Sequence, residues 1–401
     1  MDIPDRNRQI FLIYLLAFVC AIGNPVVLPC LPFIMEEFQL SVMEMGLTIS
    51  VYALPGIVII PLNGMLSDRI GRRPILLAGL FIAGLGSVLC YFSNSLFWLL
   101  VGRAMQGMAI TPLEAMANTL VSDIFKGPER MKYIARTTTV MYFSCIVVPL
   151  IVSALLAFGG WRMSFVFAMI LTFGAFLICL PMKVYYTPSK NVSLRQYGGQ
   201  LRDLFSSRRV IRLFTLRIFS TMLMFGVVYP HLSLLLNERM GLPAESYGSM
   251  FALYAAMMCA GAMSLTWLNS HMCARNVGFL GGSILVLSMT LFAEGSGMPI
   301  MVIALALTGA GTGILSSATT GHTALAATQD TRGTLLSAFS TTFRASQTLA
   351  PVLFGLLFQY HGFDGLFWGG AVVAVITTCM AGAAYQLAET MERQDAQKAG
   401  C

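Results

Sequence analysis

Apolar residues along the 401-residue chain form long runs that are separated by short clusters of charged residues, glycine and proline. Twelve runs reach the roughly 20 residues that a helix needs to cross the hydrocarbon core of a bilayer. They lie at 9–33, 45–66, 74–92, 97–121, 133–157, 163–182, 210–235, 246–268, 276–293, 299–326, 334–359 and 365–387. The pattern therefore predicts an all-α integral membrane protein with twelve transmembrane helices.

Composition agrees with this pattern, because 57% of the residues are apolar and only 11% are charged. Soluble domains have roughly 45–50% and 25%, so a soluble fold and an attached catalytic domain are excluded. The nine cysteines lie mostly within apolar runs and form no Cys-x-x-Cys pair, which is typical of core residues and not of a metal site. We expect no metal and no cofactor. The first run continues through Val26–Leu31, and we interpret it as a retained span, not as a signal peptide.

Lysine and arginine concentrate in the cytoplasmic loops of membrane proteins. If both termini are cytoplasmic, 20 of the 25 lysines and arginines fall in inside loops, tails or adjoining span ends. These are Arg6, Arg8, Arg69, Arg72, Arg73, Lys126, Arg130, Lys132, Arg136, Lys183, Lys190, Arg195, Arg202, Arg208, Arg209, Arg212, Arg275, Arg332, Arg393 and Lys398. We therefore predict a multi-pass protein of the cytoplasmic membrane with both termini inside. The net charge of +7 follows from this topology and does not indicate a nucleic acid partner.

The longest polar interruption, at residues 183–209, divides the chain into two halves of six spans. We predict an N-terminal six-helix bundle at 1–182, a cytoplasmic central loop at 183–209, and a C-terminal bundle with a short cytoplasmic tail at 210–401. An offset of 202 residues aligns the halves at five positions. The aligned pairs are Gly107 and Gly309, Arg130 and Arg332, Pro149 and Pro351, Gly160 and Gly362, and Phe165 and Phe367. The halves are therefore predicted to be pseudo-symmetric.

The first inside loop reads GMLSDRIGRRP over residues 64–74. Its candidate gating residues are Gly64, Asp68, Arg69, Gly71, Arg72 and Arg73. A glycine permits close helix approach, and an aspartate at a helix end can pair with the arginines and latch this face. The alternative is that these are only positive-inside charges. The order resembles the loop signature of the major facilitator superfamily, Gly-x-Leu-x-Asp-Arg-x-Gly-Arg-Arg/Lys, at every specified position. The equivalent loop at 266–275 lacks the acid and both glycines, so the first half carries any latch.

The fourth predicted span contains Arg103-Ala104-Met105-Gln106-Gly107, which is similar to the Arg-x-x-Gln-Gly motif of the drug:proton antiporters in this superfamily. Charge within a span is costly, so we expect such residues to face a cavity or a partner. Helix geometry places Arg103, Gly107, Glu114 and Asn118 on one face, with about 16 Å along the axis between Arg103 and Glu114. We predict a proton or substrate cavity at Arg103, Glu114 and Asn118. The alternative is that Glu114 only bonds to a neighbouring helix.

Other polar residues within spans extend this candidate site. Asn24, beside Pro25, either lines the cavity or bonds to the backbone of a passive kink. Arg344 is deep enough in its span to be cavity-lining, whereas Arg217 is expected to snorkel to the membrane surface. His231 and His322 are candidate proton carriers or simple core residues.

Pro149 and Pro351 are expected to bend the fifth and eleventh spans. In antiporters the fifth-span signature has glycines around a Gly-Pro pair and ends before a Gly-Trp-Arg segment. Pro149 and the segment Gly160-Trp161-Arg162 match, but Val148 precedes the proline and Val152-Ser153 replace two glycines. The match to antiporters is therefore partial.

The resemblance implies a secondary transporter, and not an enzyme, in which two six-helix bundles rock about a central site. The chain has no Walker-type loop for ATP, so we expect a proton gradient to drive efflux of drug-like or amphipathic compounds. The alternative is transport of an organic anion, siderophore or sugar, since Arg103 and Arg344 suit an anion. A receptor or a metal-dependent enzyme is a further alternative, although four scattered histidines form no cluster. Expected partners are a small-molecule substrate, protons and the lipid bilayer, and the protein is expected to be monomeric.

Overall fold

The computed structural model describes residues 6–125, 127–181, 194–326 and 332–399, and this part of the chain contains helices and turns but no strand. Its α-helices are α1 (Arg6–Ala21), α2 (Leu31–Phe38), α3 (Val42–Ile70), α4 (Arg72–Tyr91), α5 (Leu96–Ile124), α6 (Gly127–Gly159), α7 (Arg162–Cys179), α8 (Leu194–Ser206), α9 (Arg208–Leu223), α10 (Tyr229–Glu238), α11 (Tyr247–His271), α12 (Ala274–Glu294), α13 (Met298–Leu325) and α14 (Arg332–Ala399). The predicted all-α class is confirmed for these residues.

Each of the twelve predicted spans coincides with helix. Within the described ranges, nine helical segments are long and apolar enough to cross a membrane. One of them, Thr334–Tyr385, has 52 residues and contains Gly362 at φ 60°, so it covers two predicted spans. The apolar part of α5, Leu96–Ile110, is shorter, and α1 has only 16 residues because the first span is interrupted.

The interruption of the first span is repeated in the seventh. The α1 helix ends at Ala21, and a turn leads into a 3-10 helix at Leu28–Cys30 before α2 begins. Pro25, which has no N–H to donate, lies within this break. In the second half a π-helical turn at Met224–Val228 separates α9 from α10, and the offset of 202 places it over residues 22–26. Interrupted helices at matching positions of two repeats are typical of transporter folds.

Close helix packing provides an independent test of the repeat. A Cβ atom at Gly107 would overlap the carbonyl oxygen of Tyr52, so α3 and α5 touch through their backbones at this point. At Gly309 the nearest atom to an added Cβ is the carbonyl oxygen of Tyr254, which lies 202 residues after Tyr52. Both pairs therefore make the same contact within their own half, and the pseudo-symmetry of the two halves is confirmed.

The chain folds into two compact units. One comprises Met1–Val192 and Ser233–Ala252, and the other comprises Ser193–Leu232 and Leu253–Cys401. Within the first unit, Ser233 Oγ donates to the Leu28 carbonyl oxygen (3.1 Å). The boundaries at 182 and 210 stay predictions, because residues 182–193 lie outside the described part. The end of the predicted central loop contains a helix, α8.

Leucine, isoleucine and alanine side chains of α1, α4, α5 and α7 form the core of the first unit. In the second unit, α8, α9 and the start of α14 pack around Phe214 and Phe339. Pro149 lies within α6 and Pro351 within α14, and neither helix ends at its proline. Their role as bends stays a prediction.

Candidate functional site

Arg103 is fully buried, at 0% exposure, and its guanidinium is surrounded by oxygen atoms. Nε donates to the Thr48 carbonyl oxygen (3.1 Å), and Nη1 donates to the Gly23 carbonyl oxygen (2.7 Å). Nη1 also donates to Gln106 Oε1 (2.9 Å), and Nη2 donates to Asn24 Oδ1 (3.1 Å). Arg103 of α5 therefore joins the break in the first span to α3. The structure brings two predicted site residues, Arg103 and Asn24, together.

The ring of Tyr52 completes this arrangement, with its centroid 4.5 Å from the guanidinium carbon of Arg103. A cation over an aromatic face is stabilised by the ring quadrupole, and the effect is larger when water is excluded. Tyr52 also packs its hydroxyl against Gly23, where an added Cβ atom would overlap it. Within the described residues, no carboxylate lies in ion-pair distance of Arg103. Its charge is therefore compensated by carbonyl dipoles and a π face alone.

The remaining motif residues link further helices of the same unit. Gln106 accepts from Arg103 and donates from Nε2 to Ser87 Oγ of α4 (2.8 Å), and Ser87 in turn donates to the Ala83 carbonyl oxygen (2.9 Å). Gly107 provides the close approach to α3. The Arg-x-x-Gln-Gly residues thus tie α5 to the first span, α3 and α4. In this structure Arg103 is not exposed to a cavity.

Glu114 lies three helical turns further along α5 and is half-buried. It lies near the thiol of Cys145, a half-buried residue of α6. None of the hydrogen bonds of Arg103 reaches Glu114, so the two residues are not paired. The side chain of Asn118, the fourth residue on the predicted face, lies outside the described residues. Among the described residues Glu114 is therefore a partly exposed acid, next to a different helix from the ones that hold Arg103.

The structure describes only some of the candidate gating residues in the first inside loop. The side chains of Gly64, Asp68 and Arg69 lie outside the described residues, so the predicted pairing at Asp68 is not addressed. Gly71 adopts φ 92°, a conformation that residues with a side chain rarely take, and it directly precedes α4. This backbone angle explains why the signature requires glycine at that position.

Two arginines follow Gly71. Arg72, in the first turn of α4, is buried at 5% exposure. Arg73 donates from Nη2 to the carbonyl oxygen of Leu180, immediately after α7 (2.6 Å). The described part of the loop therefore fastens the start of α4 to the end of α7.

In the second unit Arg344 is also buried, at 6% exposure. Nη1 donates to Gln347 Oε1 (2.9 Å), which repeats the Arg103 to Gln106 bond on another helix. Arg217, which was expected to snorkel to the membrane surface, is half-buried, and its snorkelling stays a prediction. Nη1 of Arg217 donates to Ser316 Oγ (2.6 Å), because α13 offers it a hydroxyl within the unit.

Two phenylalanines of α14 also hold Arg217 in place. Its guanidinium carbon lies 5.0 Å from the ring centroid of Phe339 and 4.8 Å from that of Phe343. Of the two histidines, His231 is buried at 1% exposure with its ring against Phe358 (5.3 Å between centroids), and the half-buried His322 stacks on Tyr385 (4.6 Å). Arg217, His231 and His322 therefore all make side-chain contacts within the second unit.

The segment Gly160-Trp161-Arg162 builds a clamp that residue patterns alone did not reveal. Glu37, after the first span, accepts from Nη1 and Nη2 of Arg162 (2.7 and 2.6 Å) and from Trp161 Nε1 (2.6 Å). Arg162 also donates to the Ser93 carbonyl oxygen (2.9 Å) in the turn between α4 and α5. The connections that contain Glu37, Ser93 and Arg162 are therefore joined at one end of the unit, with Arg162 as their common donor. A Gly-Trp-Arg segment after one span and an acid after another are the only sequence signals for it.

The clamp predicts a small, pH-dependent contribution to stability. Hydrogen bonds from Arg162 and then Trp161 hold the pKa of Glu37 below its ordinary 4.5, although partial burial opposes them. Because this pKa is lowered in the folded state, the stabilisation is present above pH 4.5 and is lost as the pH falls through the lowered value. Glu37→Gln should therefore cost up to about 1 kcal/mol at pH 7, since the pair is partly exposed.

Thermal unfolding of detergent-purified protein at pH 7 and pH 3.5 tests this prediction. The difference in melting temperature between the two proteins should be present at pH 7 and should shrink in acid. A difference that grows in acid would contradict the assigned direction. Glu36→Gln is a matched control, since Glu36 is exposed on the same helix turn and takes no part in these hydrogen bonds.

The sequence model of the Major Facilitator Superfamily matches this chain over residues 13–298 and again over 218–399. The chain belongs to the major facilitator superfamily. The family expected from the inside loop and from the Arg103 motif is confirmed, and so is the fold of two related six-helix halves.

Several curated members of the superfamily resemble part of this chain. A bacillibactin exporter of Bacillus subtilis is 34% identical over 28% of this chain and 29% of its own length. A class H tetracycline resistance protein of Pasteurella multocida is 31% identical over 41% of each chain. The multidrug resistance protein MdtM of Escherichia coli is 28% identical over 42% of each chain. These matches span less than half the length of the relatives.

Solved structures of superfamily folds match nearly the whole chain at low identity. A bacterial homologue of the human lysosomal transporter Spinster, in an inward-facing and occupied conformation, has a TM-score of 0.78 at 15% identity, covering 97% of this chain and 98% of its own. A nucleoside transporter, NupG, has a TM-score of 0.78 at 12% identity, covering 94% of this chain and all of its own. At these identities the likeness shows the fold alone.

Proposed function

We propose that this superfamily member exports small amphipathic, drug-like compounds across the cytoplasmic membrane in exchange for protons. The observation that carries the proposal is the state of two charged residues of α5, Arg103 and Glu114. Arg103 is buried and bound by four oxygen atoms, whereas Glu114 is half-buried and not paired with it. Among the residues of this helix whose side chains the structure describes, Glu114 is therefore the acid that can exchange a proton for a cargo molecule.

The mechanism follows from the cost of charge in a low-dielectric cavity. The negative charge of a carboxylate there is removed by protonation or balanced by a cationic group of the substrate. Binding of the substrate therefore releases the proton, and protonation releases the substrate. In alternating access the site meets each side of the membrane in turn. Protons that enter from the outside would then protonate Glu114, and substrate arriving from the inside would release them. Each cycle would move a substrate outward and a proton inward.

The names of the relatives support this class of cargo. A tetracycline resistance protein and a multidrug resistance protein both resemble parts of this chain. Arg103, Gln106 and Gly107 match the antiporter motif in full, whereas the fifth span matches its signature only at Pro149 and residues 160–162. The antiport assignment therefore rests mainly on α5.

An organic anion, siderophore or sugar remains the alternative cargo. Its support came from two arginines within spans, Arg103 and Arg344. Both are buried in this structure, at 0% and 6% exposure, and each donates to a neighbouring glutamine. An anion would have to displace these bonds in order to bind. A bacillibactin exporter among the relatives keeps the alternative worth testing.

In this proposal the protein acts as a monomer in the cytoplasmic membrane. Both termini and the loop that contains Gly71, Arg72 and Arg73 lie on the cytoplasmic side. The distribution of lysine and arginine supports this orientation. The Arg73 contact with the end of α7 would then strengthen the cytoplasmic face of the first unit.

Inverted membrane vesicles that contain the protein test the proposal directly. The vesicles are energised to acidify their interior, and a pH-sensitive acridine dye reports release of protons after each candidate substrate is added. The panel contains lipophilic cations, organic anions and neutral sugars. The proposal expects lipophilic cations to dissipate the gradient in a protein-dependent way. A response to anions alone would favour the alternative, and no response to any compound would contradict proton-coupled export of the tested classes.

A further inference from the structure

The helix α8 and the start of α9 form a basic, partly apolar corner that the transport proposal does not use. A single residue, Ser207, separates α8 from α9. The apolar segment Arg208–Glu238 is long enough to cross the membrane, and it begins at this point. One residue extends a chain by at most about 3.8 Å. The end of α8 is therefore expected to lie close to the boundary between lipid and water.

One side of α8 packs onto the protein. Leu204 is buried against Val210, Phe214 and Leu335, and the Thr334 hydroxyl donates to Gln200. This side needs no other partner. It fixes the rotation of α8, and with it the residues that point away from the protein.

The opposite side combines positive charge with large apolar side chains. Arg202, Arg208 and Arg212 are exposed, and between them Phe205 and Ile211 are 51% and 42% exposed. Residues 198–212 contain four arginines and a single acid, Asp203. Exposed aromatic and aliphatic side chains flanked by arginine are typical of helices that lie in the headgroup region of a bilayer.

We propose that this corner binds the phosphate groups of acidic phospholipids, with Arg202 and Arg208 as the binding residues and Phe205 inserted between the acyl chains. The partner is the bilayer that the chain already spans, and it is recognised by charge. An arginine near an anionic membrane surface contributes about 1 kcal/mol, which corresponds to about fivefold enrichment of acidic lipid for each arginine. The proposal is independent of what the protein transports.

Photocrosslinking in vesicles tests the proposal. Phe205 is replaced by benzoylphenylalanine, and the purified protein is reconstituted in equal parts of phosphatidylethanolamine, phosphatidylcholine and phosphatidylglycerol. Lipid adducts are then counted by mass spectrometry after irradiation. We expect phosphatidylglycerol adducts to exceed phosphatidylcholine adducts by about fivefold or more. The control position is Phe158, which is 86% exposed at the end of α6, and it should show no such preference.

The double variant Arg202→Gln, Arg208→Gln separates charge from position. It should keep the total yield of lipid adducts at residue 205, because both arginines are exposed, and it should lose the preference for phosphatidylglycerol. Equal adducts of the two lipids in the parent protein would overturn the proposal. A preference that persists in the double variant, or adducts to a second protein copy in place of lipid, would overturn it as well.

Discussion

Replacing Glu114 with glutamine should abolish proton release by an exported substrate while leaving the protein folded. Glutamine has nearly the same shape as glutamate but cannot release a proton, so substrate arrival would no longer be coupled to the gradient. Proton-transfer groups typically contribute a factor of about 100 or more. In energised inverted vesicles we therefore expect the substrate-induced dye signal to fall to background. Glu114→Asp, which keeps a carboxyl group, should retain part of it.

The matched control for this variant is Glu245→Gln. Glu245 is exposed in a 3-10 helix at the very start of an apolar segment, so its loss should leave the dye signal unchanged. Equal thermal stability of the two glutamine variants would show that Glu114 is not needed for folding. A Glu114→Gln protein that still releases protons at the rate of the parent would refute the assignment of Glu114, and with it the proposed mechanism.

Replacing Arg103 should have a different result, which is a large loss of stability. In Arg103→Met, the Gly23 carbonyl oxygen and the side-chain oxygens of Asn24 and Gln106 would lose this donor inside the first unit. The Thr48 carbonyl oxygen would keep its bond within α3. Leaving buried acceptors without a partner costs about 1–3 kcal/mol for each group. We expect a total loss of about 3 kcal/mol or more. Arg103→Lys should recover only part of it, because one ammonium group cannot reach all four acceptors.

A thiol-reactive fluorescent dye can follow this unfolding, because Cys90 and Cys30 are buried in the same unit. Both should become reactive at a lower temperature in the Arg103 variants than in the parent. Arg239→Met, at an exposed arginine, is the control and should behave like the parent. If Arg103→Met melted with the parent but failed to transport, the main role of Arg103 would be in the cycle and not in packing.

The spans were predictable because each needs about 20 apolar residues, and this requirement leaves an unmistakable pattern. The helix α8 was not predicted, because its apolar side is short and mixed with arginine. Its residues were assigned to a loop. The π-helical turn at Met224–Val228 was also missed. It contains no proline like the Pro25 that marks the matching break in the first span, and its single glycine, Gly226, is a residue type that is common within transmembrane helices.

For the candidate site, motif matching located Arg103 but not its surroundings. Its position within a span suggested a cavity, since a buried charge needs a partner. Two of its partners, however, are main-chain oxygens of Gly23 and Thr48, and a carbonyl group is present at every position of every sequence. Likewise, nothing in the local pattern at Arg217 indicates that Ser316, 99 residues later, would hold it within the unit.

The main-chain acceptors at Arg103 also affect how this protein can change in evolution. No substitution removes a carbonyl oxygen, so Thr48 can be exchanged in a descendant lineage without loss of its bond to Arg103. Asn24 and Gln106 contribute side-chain oxygens. Of the four acceptors, only these two can be removed by a single mutation. Loss of Arg103 has the largest effect, because all four hydrogen bonds depend on its guanidinium group. Related sequences can therefore diverge around position 103 while the position itself stays constant.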